Sequence, residues 1–225
     1  MNAITEVSES LSAESSLLPM DHSQPESLTD IYHPNCNIAL WQRPLMAELE
    51  ISAKYIANEF PSLQLSEAVT PSDAESVLND KFGQDEKAKP VSRDIAVLVD
   101  MFCCLFDAKR AGLRLTVLEK AMCPKFHVDR VPVRLVTTYC GAATEWLANA
   151  GLDRSKLGAG GIGKSDEESG LMQSVDDIHK LSVGDVALLK GELWEGNEGT
   201  GLVHRSPNPK DSPARLLLTL DLIDN

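Results

Sequence analysis

A chain of 225 residues, 43% hydrophobic and 24% charged, is long enough for one sizeable core and cramped for two, with the composition of an ordinary soluble globular protein. A net charge of −13 argues against a nucleic-acid backbone or an anionic membrane as partner, and no apolar run is long enough to cross a bilayer. Five cysteines without a framework spacing fit a reducing compartment, so a cytoplasmic protein is expected.

Residues 1–30, rich in Ser and Glu and lacking a positive start followed by an apolar stretch, read as a disordered tail and not as a signal peptide. Residues 31–225 are then a single domain whose first part, 31–112, is mainly helical. Residues 38–41 read as a short buried strand. Pro44 opens a helix to about Phe60, with Leu45, Leu49, Ile56 and Phe60 near one face. Thr70 as cap, Pro71 at the first helical position and Asp73 at the positive end of the dipole predict a second helix. A third helix, capped by Ser92, carries Ile95, Leu98, Val99, Phe102, Leu105 and Phe106 on a wide apolar face and ends before Gly112. Cys103 and Cys104 inside it read as small hydrophobes.

From Leu113 the texture changes to short strands between turns, at 115–118, 134–139, 144–147, 185–189, 201–204 and 215–221. Strands this short and numerous close most easily as a barrel or double-sheet jelly roll. The expected fold class is therefore α+β: a double-stranded β-helix (jelly roll, cupin-like) over 113–225, with the amino-terminal helices packed on one outer face. In the last strand Leu216, Leu218 and Leu220 alternate with Arg215, Leu217 and Thr219, so both of its sides should be buried. Residues 149–177, rich in Gly, Ser, Asp and Glu, read as a surface insertion.

His127-Val128-Asp129 places an imidazole and a carboxylate two residues apart, on one side of an extended chain, and His204 can supply a third ligand from a neighbouring strand. Two histidines and one carboxylate leave up to three positions open on a six-coordinate ion, the arrangement of non-haem Fe(II) oxygenases. Arg215, eleven residues after His204, could bring an inward guanidinium to pair bidentately with a carboxylate beside the metal.

This order resembles the iron(II)/2-oxoglutarate-dependent dioxygenase superfamily: an HxD pair, a Gly-Asp strand at Gly184-Asp185, a His at His204-Arg205-Ser206-Pro207, then an Arg at Arg215. More closely, Cys123-Pro124-Lys125-Phe126-His127, Arg134-Leu135-Val136-Thr137-Thr138-Tyr139, Thr144-Glu145-Trp146-Leu147 and Leu189-Lys190-Gly191-Glu192 resemble a bacterial family of unknown function numbered 1826, from about Ile31 to the end. The broader resemblance implies His127, Asp129 and His204 as ligands of a divalent metal, Fe(II) first, and Arg215 for the far carboxylate of 2-oxoglutarate as cosubstrate. The expected function is Fe(II)/2-oxoglutarate-dependent hydroxylation of an unknown substrate. A noncatalytic Zn(II) binder in metal homeostasis, using the same pocket with Cys123, is the alternative.

Other motifs compete. The run from Gly158 through Gly163, Lys164 and Ser165 satisfies the phosphate-loop pattern, but its upstream segment is polar and strand-poor and Asp166, Glu167 and Glu168 follow, so a flexible loop is expected and nucleotide binding is not. Tyr139 is a candidate hydrogen-bond donor to the cosubstrate carboxylate, and Trp146 and Arg134 are candidates for the barrel mouth. Arg205, beside a ligand on an extended strand, should point outward. His33 with Cys36, His22 and His179 have no second half-site in view.

Overall fold

The computed structural model describes residues 21–208 and 214–223. In chain order these form a 3-10 segment (Pro25–Tyr32), β1 (Ile38–Trp41), α1 (Ala47–Glu59), β2 (Gln64–Val69), α2 (Ala74–Lys81), α3 (Lys89–Leu105), β3 (Ala111–Leu118), β4 (Val133–Cys140), β5 (Glu145–Leu147), a four-residue α4 (Asp166–Ser169), β6 (Ile178–Lys180), β7 (Val186–Lys190), β8 (Val203–Arg205) and β9 (Arg215–Leu222). A six-stranded sheet runs β1-β7-β4-β9-β3-β2 and a three-stranded sheet β6-β5-β8, with every pairing antiparallel.

Strand alternation decides what each face of the large sheet does. Leu113 and Leu115 of β3, Leu135 of β4, Leu188 of β7, and Leu216, Leu218 and Leu220 of β9 share one core with Val91, Ile95, Leu98, Val99 and Phe102 of α3. Each such side chain, taken from water, contributes about 1.5–3 kcal/mol. The intervening residues Val136, Ala187, Leu189 and Leu217 form a second, smaller cluster on the opposite face. Helices therefore cover one outer face of the large sheet, and the space between the two sheets is left for a site.

The smaller sheet also has two sides. Leu147 and Val203 pack outward with Phe126 under Leu152, Leu157, Leu171 and Met172, so the 149–177 insertion does more than decorate the surface: its few apolar residues roof the outer face of this sheet. Trp146 and His204 are register partners turned the other way, and His127 continues that row through a single bridge to His204.

Several boundaries move. The expected disordered tail ends too late: Leu28 and Ile31, three residues apart, bury themselves from the Pro25–Tyr32 segment, and Ser27 bonds to the Leu40 carbonyl at 2.8 Å. Residues 1–20 lie outside the described residues. Ser92 does not cap α3, which starts a turn earlier with Pro90 in its first turn and carries Ser92 inside the helix. The second helix begins at Ala74, because residues 70–73 close a turn in which the Thr70 amide donates to Asp73 at 2.7 Å. Two strands were not expected. β2 is an edge strand with exposed Ser66 and Glu67, and three-residue β6 is too short to show a period.

Candidate metal centre

The local fold brings His127, Asp129 and His204 together. His127 and His204 exchange both backbone hydrogen bonds at 3.0 Å, which sets their rings side by side with centroids 4.6 Å apart. Asp129, two residues along, turns to the same side: its Oδ1 lies 3.6 Å from His127 Nε2 and its Oδ2 3.3 Å from His204 Nε2. One ligand atom from each residue falls within 4.8 Å of the others, and the three are the one such group of His, Cys, Asp or Glu among the described residues. Cis donors around an ion with bonds of about 2.1 Å lie roughly 3 Å apart, close to these separations.

The rings are oriented for ligation. His127 Nδ1 lies 2.9 Å from the Lys125 carbonyl and His204 Nδ1 3.2 Å from the Leu202 carbonyl. A carbonyl only accepts, so each Nδ1 donates to it, and each Nε2 is turned to Asp129, where it donates to the carboxylate; an ion would take the Nε2 lone pair in place of that hydrogen bond. Burial works to raise the Asp129 pKa, but hydrogen bonds from His127 and His204 and the charge of Arg134 outweigh it and hold the carboxyl well below its usual range. The hydrogen bond to Asp129 raises the His127 pKa against the opposing effect of burial. A bound ion needs that imidazole neutral, so ion binding releases its proton and weakens as pH falls through the raised value.

Backbone packing steadies the carboxylate. The Glu192 amide donates to the Asp129 carbonyl at 2.9 Å, and Gly191 lets this approach happen, since a Cβ there would stand 2.0 Å from the Val131 carbonyl oxygen and 3.0 Å from that of Asp129. Arg134 holds the side chain. Its Nη1 donates to Asp129 Oδ2 at 2.6 Å, while Nε and Nη2 grip Asp221 at 2.6 and 2.9 Å, and Arg114 reaches the same Asp221 at 3.2 Å. A row of alternating charges thus runs from Arg114 through Asp221 and Arg134 to Asp129.

Arg215 is handled differently. Only 5% exposed, it lines the same cavity as His127 and His204, and its donors meet Thr138 Oγ1 at 3.0 and 3.2 Å, Thr144 Oγ1 at 2.8 Å and Ser206 Oγ at 3.4 Å. No carboxylate pairs with it among the described residues. Burial pushes its pKa down to about 10, so it stays charged at neutral pH without a counter-ion. The cavity, about 100 Å³, has Val136, Leu189 and Leu217 as apolar walls. Its floor is a buried cation ringed by hydroxyls, which suits a carboxylate reaching in from the metal side.

Tyr139 does not belong to this cavity. Five residues from Arg134, it alternates onto the opposite face, where its hydroxyl donates to Asp94 at 2.6 Å and Arg43 grips the same carboxylate at 2.6 and 2.8 Å. The neighbouring Thr138 is the residue of β4 that reaches Arg215. Trp146 is also absent from the lining; it stacks on His179 at 4.4 Å. Cys123 sits on the cavity rim but outside the ligand group. Arg205 leaves the ligand side to bind Glu145 at 2.7 Å and Asp166 and Glu167 at 3.0 Å, under which the insertion is tied down. His33, Cys36 and His22 take no part; His22 Nδ1 meets the Leu40 carbonyl at 3.1 Å. Residues 158–161 form a 3-10 turn, and Ser165 caps the four-residue α4, whose Asp166 already holds the Phe126 amide at 2.9 Å.

Sequence reasoning missed Thr138, Thr144, Ser206, Arg114 and Asp221. Alternation from Arg134 would have pointed to Thr138, and alternation from Thr219 to Asp221. Nothing local marks Thr144 or Ser206.

Residues 22–221 match a family described as "Protein of unknown function (DUF1826)". No protein of the curated set matches the sequence. Among solved structures, a Pseudomonas putida prolyl-4-hydroxylase aligns at TM-score 0.49 and 11% identity over 93% of this chain and 99% of its own. A rice dioxygenase for auxin oxidation aligns at 0.46 and 12% identity over 84% and 74%. HygX from Streptomyces hygroscopicus, with nickel and 2-oxoglutarate bound, aligns at 0.39 and 10% identity over 88% and 85%.

Proposed function

We propose that this chain, which belongs to the DUF1826 family, is an Fe(II)- and 2-oxoglutarate-dependent oxygenase built on a double-stranded β-helix. The observation that carries the reading is Arg215, a buried guanidinium without a carboxylate partner among the described residues, in one cavity with the histidines of a three-donor ligand set. Neither feature alone has this meaning. A three-ligand site leaves positions open for a chelating cosubstrate, and an unpaired cation at the floor holds that cosubstrate's far end. The topology agrees: counting the His127 bridge as a fourth element, β6-β5-β8 and His127 face β7-β4-β9-β3, the eight-element arrangement of such a roll.

His127, Asp129 and His204 would hold the ion, with both imidazoles oriented by their Nδ1 hydrogen bonds. Arg134 keeps the Asp129 carboxylate turned toward the histidines. Arg215, Thr138 and Thr144 would orient the distal carboxylate of 2-oxoglutarate, and Val136, Leu189 and Leu217 would exclude water around its carbon chain. When bound, Fe(II) with 2-oxoglutarate and oxygen supplies two-electron oxidation of a substrate, with release of succinate and carbon dioxide.

A closed structural zinc site needs four donors. Cys123 lies outside the ligand group, which favours the open-site reading over a Cys-containing zinc store. No helix among the described residues is long and apolar enough to cross a membrane, and the five cysteines are unpaired, which suits a reducing cytoplasm. The test is anaerobic calorimetry followed by oxygen exposure. Metal-loaded protein should bind 2-oxoglutarate, metal-free protein should not, and oxygen should then yield succinate; if neither iron nor 2-oxoglutarate binds, the reading falls.

A further inference from the structure

The outer half of the cavity has its own chemistry. Its lining includes Arg114 and Thr116 of β3 and Thr219 of β9, with Met122 at the rim. Arg114 and Thr219 are direct register partners, and Thr116, two residues on, lies on the same face. Burial orders the cavity by depth: Arg215 is 5% exposed, whereas the Arg114 side chain is 56% exposed. Arg114 thus stands at the mouth. Neither the Thr116 nor the Thr219 hydroxyl has a hydrogen-bond partner among the described residues.

The charges do not cancel. Four arginines line the cavity, of which Arg205 is taken up by Glu145, Asp166 and Glu167; the other three, Arg114, Arg134 and Arg215, stand against Asp129 and Asp221, three cations to two anions, on a chain whose net charge is −13. A divalent ion adds two positive charges and 2-oxoglutarate removes two, so the loaded cavity keeps its excess cation. That cation is at the mouth, because Arg134 lies between both carboxylates and Arg215 faces the cosubstrate. Arg114 shares Asp221 with Arg134, which leaves its remaining donors toward solvent.

We propose that Arg114, with the Thr116 and Thr219 hydroxyls, forms a second anion site at the cavity mouth, so that the substrate oxidised here is a small organic acid held by its carboxylate. The inference rests on the oxygenase reading of the inner site. An arginine flanked by free hydroxyls recognises a carboxylate by charge-assisted hydrogen bonds, and Leu217, Val136 and Met122 offer apolar surface to the rest of the molecule. The carboxylate end would then be fixed at the mouth with the body directed toward the ligand set.

The experiment uses full-length protein loaded with redox-inert Zn(II) and saturated with 2-oxoglutarate, titrated calorimetrically with phenylacetate and with its neutral amide, phenylacetamide. The acid should bind roughly tenfold tighter than the amide. Arg114→Gln should erase that preference and Arg114→Lys should keep part of it; an exposed position tolerates both changes in the fold. The proposal is overturned if the amide binds as well as the acid, if the acid does not bind, or if Arg114→Gln retains the preference. The prior 2-oxoglutarate titration reads the inner site separately. Should 2-oxoglutarate fail to bind, the oxygenase reading falls, while phenylacetate added to the Zn(II) protein alone still tests Arg114; loss of the preference in Arg215→Met instead of Arg114→Gln would move the acid to the inner site and overturn the proposal.

Discussion

Two arginines, the half-buried Arg43 and the buried Arg215, lie on opposite sides of the large sheet, and the molecule treats them oppositely. On the helix-covered side Arg43 meets Asp94 through two parallel bonds, donates a third to the Gly184 carbonyl, and shares its carboxylate with Tyr139. Every charge there has a partner, as a structural ion pair requires. On the cavity side Arg215 has three hydroxyls and, among the described residues, no acid. A fold gains nothing from taking an uncompensated cation out of water, which is why 2-oxoglutarate is proposed as its partner. On that proposal, pairing more than burial separates an arginine that holds the fold from one that takes a ligand.

The contrast can be broken most severely at Asp94. Asp94→Ala strands Arg43 and the Tyr139 hydroxyl in the interior and should cost about 3–5 kcal/mol in urea unfolding, with metal affinity of the remaining folded protein unchanged. An effect below 1 kcal/mol would mean that the Arg43 cluster is no structural pair.

Arg215→Met should invert that result. Folding stability should stay within about 1 kcal/mol of the parent, because a buried charge leaves as its hydrogen bonds to hydroxyls are lost. Binding of 2-oxoglutarate should weaken about 100-fold, or about 2.7 kcal/mol, with metal content retained. Large destabilisation with intact 2-oxoglutarate binding would class Arg215 with Arg43.

Arg134 is the intermediate case, since it has acid partners and touches a ligand. Arg134→Gln should lower metal affinity about tenfold, read by competition with a chelator, by freeing the Asp129 carboxylate to turn. Unchanged affinity would make the Arg134 bridge purely structural.

Much of this was legible in the residues themselves. The HxD spacing put His127 and Asp129 on one side of the chain, and the alternation of Arg215, Leu217 and Thr219 with Leu216, Leu218 and Leu220 already described a strand with a helix side and a cavity side. Tyr139 was misassigned by neglect of that same alternation, which separates it from Arg134 by an odd number of residues. The Gly158 to Ser165 run shows the converse: a pattern can match while the residues around it supply neither the strand nor the helix that gives it meaning.

By itself, then, the sequence determined the periodicities: which residues share a strand face, where the apolar side of α3 lies, and which residue types could hold an ion. Local sterics and burial impose these within a few neighbours. Only the tertiary structure decided which strands meet. It joined His127 to His204 across 77 residues, gave Arg134 both Asp129 and Asp221, and surrounded Arg215 with Thr138 and Thr144 and, among the described residues, with no acid. Such pairings are set by sheet order and register, which depend on the whole core folding at once.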